Sequence, residues 1–243
     1  MKLFKSLSGF FFSLRTTLWS LGIMLLLMFA GACIMPGRQE FQALHSVPLF
    51  DWLTAQPLEV TWWLWGLIGV LAVIAVNTLC CSVESIIKKR KVTQWLLLIS
   101  PQIIHAGFLF MLLAHLLSAW GASQSQAFAG EGTIVLLPDR TTSVKVDNIS
   151  VQYDYYGYIS GWKVDLEYLL HGKMSRRDSI RPNSPSVFKG FNINVKNLRP
   201  YPEEAVLLQI NREPGALWAL AGSILFMLGI TALVVLRVRM ERK

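Results

Sequence analysis

The sequence has few cysteines and none of the short motifs that mark common soluble enzymes. It contains no Gly-rich phosphate loop, no Cys-x-x-Cys pair, no His-Glu-x-x-His and no Ser-centred nucleophile elbow. Its three cysteines are Cys33, Cys80 and Cys81, and none lies between Gly121 and Glu213. A domain in that interval must therefore be stabilised by core packing rather than by disulfides.

Charged residues are also scarce, and long apolar runs take their place. Only 16% of the 243 residues are charged, 53% are hydrophobic and the mean hydropathy is +0.44, which excludes an ordinary soluble domain. About 20 helical residues span a hydrocarbon core of about 30 Å. Four runs qualify: Leu18–Met35, Trp62–Cys81, Trp95–Trp120 and Ala216–Leu236. The sequence therefore predicts four helices in a lipid bilayer.

The first run is interpreted as a retained helix rather than a cleaved signal peptide. Its apolar core is longer than the roughly 7–15 residues of a signal peptide. It ends in Met35-Pro36-Gly37-Arg38, which lacks the small residues of a cleavage site.

The basic residues predict the orientation of these helices. Placing the N-terminus, the 83–94 loop and the C-terminal tail on one side collects eleven basic and two acidic residues there, a net charge of +9. The other 12 basic and 13 acidic residues give −1. This asymmetry is the positive-inside pattern, and we expect a bacterial inner membrane protein with both termini cytoplasmic. Because the basic residues flank helices rather than cover a domain, the net charge of +8 does not indicate nucleic-acid binding.

Between the third and fourth runs the pattern changes to the period of two that is typical of strands. Alternation is clear in Thr142–Asp147, Trp162–Tyr168 and Phe191–Val195. Turn residues punctuate the segment at Pro138-Asp139, Tyr156-Gly157, His171-Gly172, Arg181-Pro182-Asn183 and Lys189-Gly190. We predict five to seven antiparallel strands in a small sandwich or open barrel.

The expected fold class is an α-helical polytopic membrane protein with a small antiparallel all-β extracytoplasmic domain between the third and fourth transmembrane helices. Residues 1–123 would form the membrane domain with helices 1–3 and a short outer loop at 37–60. Residues 124–212 would form the periplasmic β domain, and residues 213–243 the last helix and a basic cytoplasmic tail.

Several local features add expectations for the helices. The segment Phe41–Leu53 is amphipathic enough to lie along the outer membrane surface, although Pro48 weakens this prediction. Trp62–Trp65 has the composition of an interfacial aromatic belt. Polar Asn77 suits a hydrogen bond to a neighbouring helix. Ser100-Pro101 predicts a kink or an early break in the third helix.

Histidines in an apolar helix are the candidates for chemistry. His105 and His115 lie in the third run, where an ionisable side chain is costly enough to indicate a functional site. Neutral imidazole is a common axial ligand of haem iron. The ten residues between them correspond to about 15 Å along a helix and about 80° around it, so the two cannot ligate one iron. Gly107 beside His105 would let a flat macrocycle or another helix approach closely.

Alternatives remain open for these and for other residues. Hydrogen bonds to a neighbouring helix would also explain His105 and His115, and an interfacial polar contact would explain His115. His45 and His171 are interpreted as exposed, solvated histidines. Adjacent Cys80 and Cys81 rarely satisfy disulfide geometry. We interpret the pair as helix-packing or lipid-facing residues, with a redox or haem-related role as the alternative.

Four motifs resemble the ResB family of System II cytochrome c biogenesis. They occur in the family's order, along nearly the whole chain, and the three-helix, outer-domain, one-helix topology is similar as well. The motifs are Phe12-Ser13-Leu14-Arg15-Thr16-Thr17-Leu18-Trp19, Asn77-Thr78-Leu79-Cys80-Cys81, His105-Ala106-Gly107-Phe108, and Arg212-Glu213-Pro214-Gly215 followed by Leu220-Ala221-Gly222 and Leu228-Gly229. The outer domain is much shorter than in typical members, which indicates a reduced surface for docking apocytochromes.

The resemblance implies a haem-handling subunit and a polytopic partner of the CcsA type. Such proteins together are expected to move haem outward and present it to apocytochromes c, and any synthase activity would belong to the complex. The family's third-helix histidine corresponds to His105, which would be one axial ligand of haem b, with the other supplied by the partner. Two other hypotheses are a membrane-anchor or haem b-bearing subunit of a respiratory complex, and a structural membrane protein whose β domain binds another protein.

Overall fold

The computed structural model describes residues 13–44, 46–88, 95–199 and 204–241, although not the side chains of residues 88, 95, 97 and 98. The chain forms two compact units. The helical unit comprises residues 1–44, 49–120 and 215–243, and the β unit comprises residues 45–48 and 121–214. His45, Lys2, Lys5 and the basic residues at 89–91 and 242–243 lie outside the described residues, so the predictions made for them stay predictions.

Four helices in the described part of the chain are long and apolar enough to cross a membrane, which confirms the predicted helix count. The first begins behind Ser13, whose side-chain oxygen accepts a hydrogen bond from the backbone N–H of Arg15 at 3.2 Å and caps the helix. The helices are α1 Leu14–Ile34, α2 Leu49–Ala55, α3 Leu58–Lys88, α4 Trp95–Gly121 and α5 Ala216–Glu241, with 3₁₀ turns at Met35–Gly37 and Gln39–Ala43.

The segment Phe41–Leu53, which was expected to lie along the outer membrane surface, does not form one continuous helix. It is divided between a 3₁₀ turn and the seven-residue α2, which begins directly after Pro48. Phe41, Trp52 and Leu53 are buried and pack against Trp63. Because these three apolar side chains are covered by protein, they are not available to lipid, and the location of the segment along the membrane surface stays a prediction.

The tryptophans that open α3 divide between two surroundings. Trp62 and Trp65 are 47% and 40% exposed, as an aromatic belt requires. Trp63 is only 5% exposed and its indole covers Gly31 of α1, where a Cβ would lie 2.5 Å from a ring carbon. The close approach of α1 and α3 at this point therefore depends on a glycine.

Polar contacts also join α1 to α3. The hydroxyl of Thr17 donates to Oδ1 of Asn77 at 2.6 Å, and Nδ2 of Asn77 donates to the backbone oxygen of Ser13 at 3.4 Å. Asn77 is 2% exposed, so these partners offset its removal from water. The predicted role of Asn77 in helix packing is confirmed.

α4 packs against α5 through small residues repeated every seven positions. Gly229, Gly222 and Gly215 on α5 or directly before it lie against Ser100, Gly107 and Ala114 on α4. A Cβ on Gly222 would lie 2.8 Å from the carbonyl oxygen of Gly107, and a Cβ on Gly229 would lie 3.1 Å from that of Ser100. Such spacing lets two helix backbones approach closely where apolar side chains would hold them apart.

Pro101 does not interrupt α4. The helix runs without a break from Trp95 to Gly121, with Pro101 at its seventh residue. The hydroxyl of Ser100 donates to the carbonyl oxygen of Leu96 at 2.7 Å. Pro101 has no backbone N–H, so one helical donor is missing at this point. The hydroxyl of Ser100 supplies a donor to a carbonyl in the same turn of the helix. The expected early break is therefore absent from residues 95–121.

Residues 121–214 form two four-stranded antiparallel sheets, which confirms the predicted small antiparallel β domain between the third and fourth long helices. The described residues contain eight strands, so the expectation of five to seven was too low. The strands are β1 Ser123–Gly130, β2 Ile134–Leu136, β3 Thr142–Tyr153, β4 Ile159–Leu170, β5 Lys173–Ile180, β6 Ser186–Phe188, β7 Phe191–Arg199 and β8 Ala205–Arg212. One sheet has the order β1-β8-β7-β6 and the other β2-β3-β4-β5.

Alternating side chains of both sheets build one core. Val144, Val146 and Val164 come from one sheet and Ile193 and Leu208 from the other, and none of the five is measurably exposed. Every predicted turn connects two strands, and the tightest ones contain backbone with positive φ, as at His171-Gly172 and Lys189-Gly190. Two consecutive residues with positive φ are the signature of a two-residue hairpin turn.

Candidate functional site

His105 lies inside the apolar length of α4 and contacts α3. It is ten residues from the start of the helix, which corresponds to about 15 Å of rise. Its side chain is half-buried, and Nδ1 lies 2.7 Å from the hydroxyl oxygen of Ser82. The expected hydrogen bond to a neighbouring helix is therefore present, and it engages one of the two ring nitrogens.

This hydrogen bond bears on which ring nitrogen can bind a metal. When Nδ1 carries the proton and donates to Ser82, the lone pair of Nε2 is free to coordinate iron. Histidines that bind metals usually donate their other N–H to an oxygen in this manner, which fixes the tautomer and the ring orientation. Within the part of the chain that the structure describes, Nε2 has no hydrogen-bond partner. In the tautomer with the proton on Nδ1, the pair His105–Ser82 has the arrangement of a metal-binding histidine and its supporting acceptor.

A second polar side chain lies one turn before His105. Gln102 is three residues earlier, so it occupies the same side of α4. Its side-chain oxygen is buried and has no hydrogen-bond partner in the described structure. A buried polar atom without a partner is rare enough to need an explanation, such as a ligand or a water molecule. Gln102 and His105 together form a polar side on this stretch of α4. Apolar side chains would be sufficient for helix packing, so this polar side indicates a further role.

Gly107 contacts protein. A Cβ built on it would lie 2.6 Å from the backbone nitrogen of Phe226 and 2.7 Å from the carbonyl oxygen of Gly222. Of the two partners expected for Gly107, a macrocycle or another helix, the structure contains the helix. Gly107 is two residues from His105, about 200° around α4, so it fixes the opposite side of the helix against α5.

His115 is not brought to His105. His115 is exposed near the end of α4, ten residues after His105, which corresponds to about 15 Å along the helix. His171 is exposed in the turn between β4 and β5, as predicted. Cys33, Cys80 and Cys81, all within the described residues, form no disulfide. Among the described residues there is no cluster of three or more His, Cys, Asp or Glu that could hold a metal ion.

The donor set suits haem better than a bare metal ion. Haem iron has four equatorial nitrogens of its own, so the protein needs to supply only one or two axial ligands. One imidazole, with Ser82 to orient it, fits that requirement, whereas a structural zinc or calcium site needs several protein ligands. Neither Ser82 nor Gln102 was predicted from the sequence. Both are polar residues within or at the edge of apolar runs, and this position is the signal that could have indicated them.

The β unit carries a separate network of charges on the outer face of β3, β4 and β5. Nη2 and Nε of Arg177 donate to one oxygen of Glu167 at 2.6 and 2.9 Å, and Nζ of Lys145 donates to the other at 3.3 Å. The hydrogen bonds from Arg177 and Lys145 hold the pKa of Glu167 below its usual value. Those with Glu167 and Asp147 raise the pKa of Lys145. Each charge in this network is offset by a neighbour, which indicates a structural role.

The chain is similar to proteins of known structure. No protein-family model matches the sequence, and no curated protein matches it. Among the solved structures that match is one titled Cytochrome c Heme Lyase CcmF, at a TM-score of 0.47 and 13% identity. The match covers 91% of this chain but only 34% of that chain, so this chain spans about a third of that protein's length.

Proposed function

We propose that this chain is a membrane subunit of a System II-type cytochrome c maturation complex, in which it takes part in moving haem to apocytochromes on the outer face. The observation that carries the proposal is the half-buried His105 inside an apolar helix, with Nδ1 held by Ser82 and Nε2 without a partner. The motifs that resemble the ResB family, and their order along the chain, support it as well.

In this proposal haem is the cargo, and the chain's own residues hold and orient it. Nε2 of His105 would bind the haem iron, and the hydroxyl of Ser82 would accept a hydrogen bond from Nδ1. The glycine contacts between α4 and α5 keep the His105 helix from rotating or sliding. Gln102 offers an amide to a polar edge of the cargo or to a bound water.

A second chain is part of the proposal. The apolar span Ile99–Gly121 contains both His105 and His115, but about 15 Å of helix separates them, so they cannot bind the same iron. Haem with two histidine ligands would take its other ligand from a partner, for which a CcsA-like polytopic protein is the candidate. Both termini are cytoplasmic in this arrangement and the β unit is periplasmic, as the charge asymmetry predicts.

The test is to co-express the full chain with a CcsA-like partner and to measure the Soret absorbance of the purified complex. His105→Ala is expected to lose most of the haem, while the matched variant His115→Ala keeps it. Equal haem content in the two variants would make the ligand assignment wrong. Deletion of the gene is expected to remove all c-type cytochromes; loss of a single respiratory complex would instead support the anchor-subunit hypothesis.

A further inference from the structure

Gln102 is a polar side chain on a helix that has no charged residue. Between Trp95 and Gly121 the sequence of α4 contains no Lys, Arg, Asp or Glu. Its polar side chains are Ser100, Gln102, His105, His115 and Ser118. An amide placed in an apolar environment without a hydrogen-bond partner is unfavourable, so a glutamine at this position needs a partner.

The amide oxygen of Gln102 has no such partner within the protein. Oε1 is buried and accepts no hydrogen bond from the residues that the structure describes. The buried side chains of Asn77 and Ser100, by contrast, are both hydrogen-bonded. In the described part of the helical unit the same condition occurs at Nε1 of Trp63, near the other end of α3 from Ser82. Close to His105, the unmet acceptor is therefore that of Gln102.

Gln102 lies on the side of α4 that carries His105. Three residues along a helix correspond to about 4.5 Å of rise, and they place the two side chains about 60° apart around the axis. This side meets Ser82 of α3, whereas Gly107 fixes the opposite side against α5. The residue as a whole is half-buried, and the terminal amide of a glutamine rotates easily about its last bond. Rotation can therefore turn the amide toward a molecule that is bound at His105.

A carboxamide is complementary to an uncharged carboxylic acid. The amide N–H donates to the carbonyl oxygen of the acid, and the O–H of the acid donates to the amide oxygen. An ionised carboxylate would instead need a cation, for which arginine is the usual partner. Neither α4 nor the stretch Leu58–Ile87 of α3 contains Arg or Lys. Since an unpaired carboxylate is very unfavourable among apolar helices, this site suits an acid in its protonated form.

Haem carries acids of this kind, because its propionic acid side chains lie at one edge of the macrocycle. Resting on the proposed function, in which Nε2 of His105 binds the haem iron, we propose that Gln102 binds an uncharged propionic acid of the same haem. Gln102 is then a specificity-determining residue. It favours iron porphyrins that carry free acids over those that carry only alkyl groups, and the acid supplies the missing partner of Oε1.

The test compares two iron porphyrins in the full chain, purified with its CcsA-like partner and depleted of haem. Iron mesoporphyrin keeps the propionic acids, and iron etioporphyrin has ethyl groups in their place. Soret titrations give the dissociation constant of each. Gln102→Leu is expected to weaken mesoporphyrin binding by roughly tenfold, through the loss of a pair of hydrogen bonds. Etioporphyrin binding should stay at the wild-type level, which also shows that the variant is folded.

A conservative variant checks the hydrogen-bonding role. Gln102→Glu retains both a donor and an acceptor when its carboxyl group is neutral, so it should recover part of the mesoporphyrin affinity. Unchanged mesoporphyrin binding by Gln102→Leu would overturn the proposal, because the partner of Gln102 would then be water. An equal loss of affinity for both porphyrins would also overturn it, since Gln102 would then support the helices or contact the partner chain.

His105→Ala distinguishes this proposal from the proposed function. It should lose both porphyrins, because both need the iron ligand. A His105→Ala complex that binds both with wild-type affinity would refute the ligand assignment itself. If His105→Ala loses both porphyrins but Gln102→Leu binds them as the wild type does, the ligand assignment stands and only the role of Gln102 is wrong.

Discussion

Gly107→Ala tests the contact that holds the His105 helix in place. The new methyl group would lie 2.6 Å from the backbone nitrogen of Phe226, whereas ordinary contact begins at 3.4 Å. The helices must therefore separate by about 0.8 Å, the difference between the two distances. All three nearest atoms belong to the backbone of α5, so no side chain can rotate away. Overpacking of this kind costs about 1–3 kcal/mol.

A matched substitution removes the effect of helix propensity. Alanine is favoured over glycine inside a helix by about 0.5–1 kcal/mol, which offsets part of the clash. Gly69→Ala in α3 gains the same propensity and meets nothing within 4 Å. The difference between the two variants therefore isolates the clash, and we expect Gly107→Ala to be the less stable by about 1–3 kcal/mol.

The assay is unfolding of the full chain in mild detergent by titration with a denaturing detergent, followed by circular dichroism at the helical minimum. Gly107→Ala should unfold at a lower denaturant fraction than the wild type, and Gly69→Ala at the same or a higher one. Coincident transitions for the two variants would refute the packing argument. In the complex with the partner, Gly107→Ala should also retain less haem, since it displaces the helix that carries His105.

Three further predictions concern single hydrogen-bonded side chains. Ser82→Ala should weaken haem retention by roughly tenfold, which is the usual cost of losing the hydrogen-bond acceptor behind a metal-bound histidine. Ser82→Thr should restore haem retention. Unchanged retention in Ser82→Ala would contradict the role assigned to the hydroxyl. Tyr168→Phe removes a buried hydroxyl that contacts Ser186 at 2.7 Å, so thermal unfolding of the β unit within the full chain should show a loss of about 1–3 kcal/mol; a transition equal to that of the wild type would speak against this contact. Because the pKa of Glu167 is lowered in the fold, its ionised carboxylate stabilises the fold at pH values above the unfolded-state pKa of 4.5, and this contribution is lost as the pH falls through the folded-state pKa. Glu167→Gln should therefore be less stable than the wild type at neutral pH and equally stable in acid. A stability difference that is constant at all pH values would exclude this linkage.

Hydropathy predicted the long helices well because a span is a property of composition, which tertiary contacts do not alter. The strands at Thr142–Asp147, Trp162–Tyr168 and Phe191–Val195 were found for a similar reason, since a half-buried strand must alternate. Alternation did not show every strand: β5 is an edge strand rich in polar residues, and β6 has only three residues, which are too few to show a period.

Contacts between segments that are distant in the chain could not be predicted from the sequence. The segment around Phe41 and Trp52 has an apolar face that fits either lipid or protein, and only the fold shows that Trp63 covers it. The glycines at 222 and 229 were visible in the motifs, but their partners on α4 were not. Ser82 could not be connected to His105 because 23 residues separate them and only the packing of α3 against α4 brings them to 2.7 Å.

The most direct test of the proposed function is the redox midpoint potential of haem in the purified complex when the proposed ligand is exchanged. His105→Met, with His115→Met as the matched control, replaces an imidazole by a thioether, and a His/Met pair has a higher potential than a His/His pair. We predict that His105→Met raises the midpoint potential or loses haem, while His115→Met retains the wild-type potential and haem content. A His105→Met complex with wild-type haem content and an unchanged potential would contradict the assignment of His105 as the axial ligand.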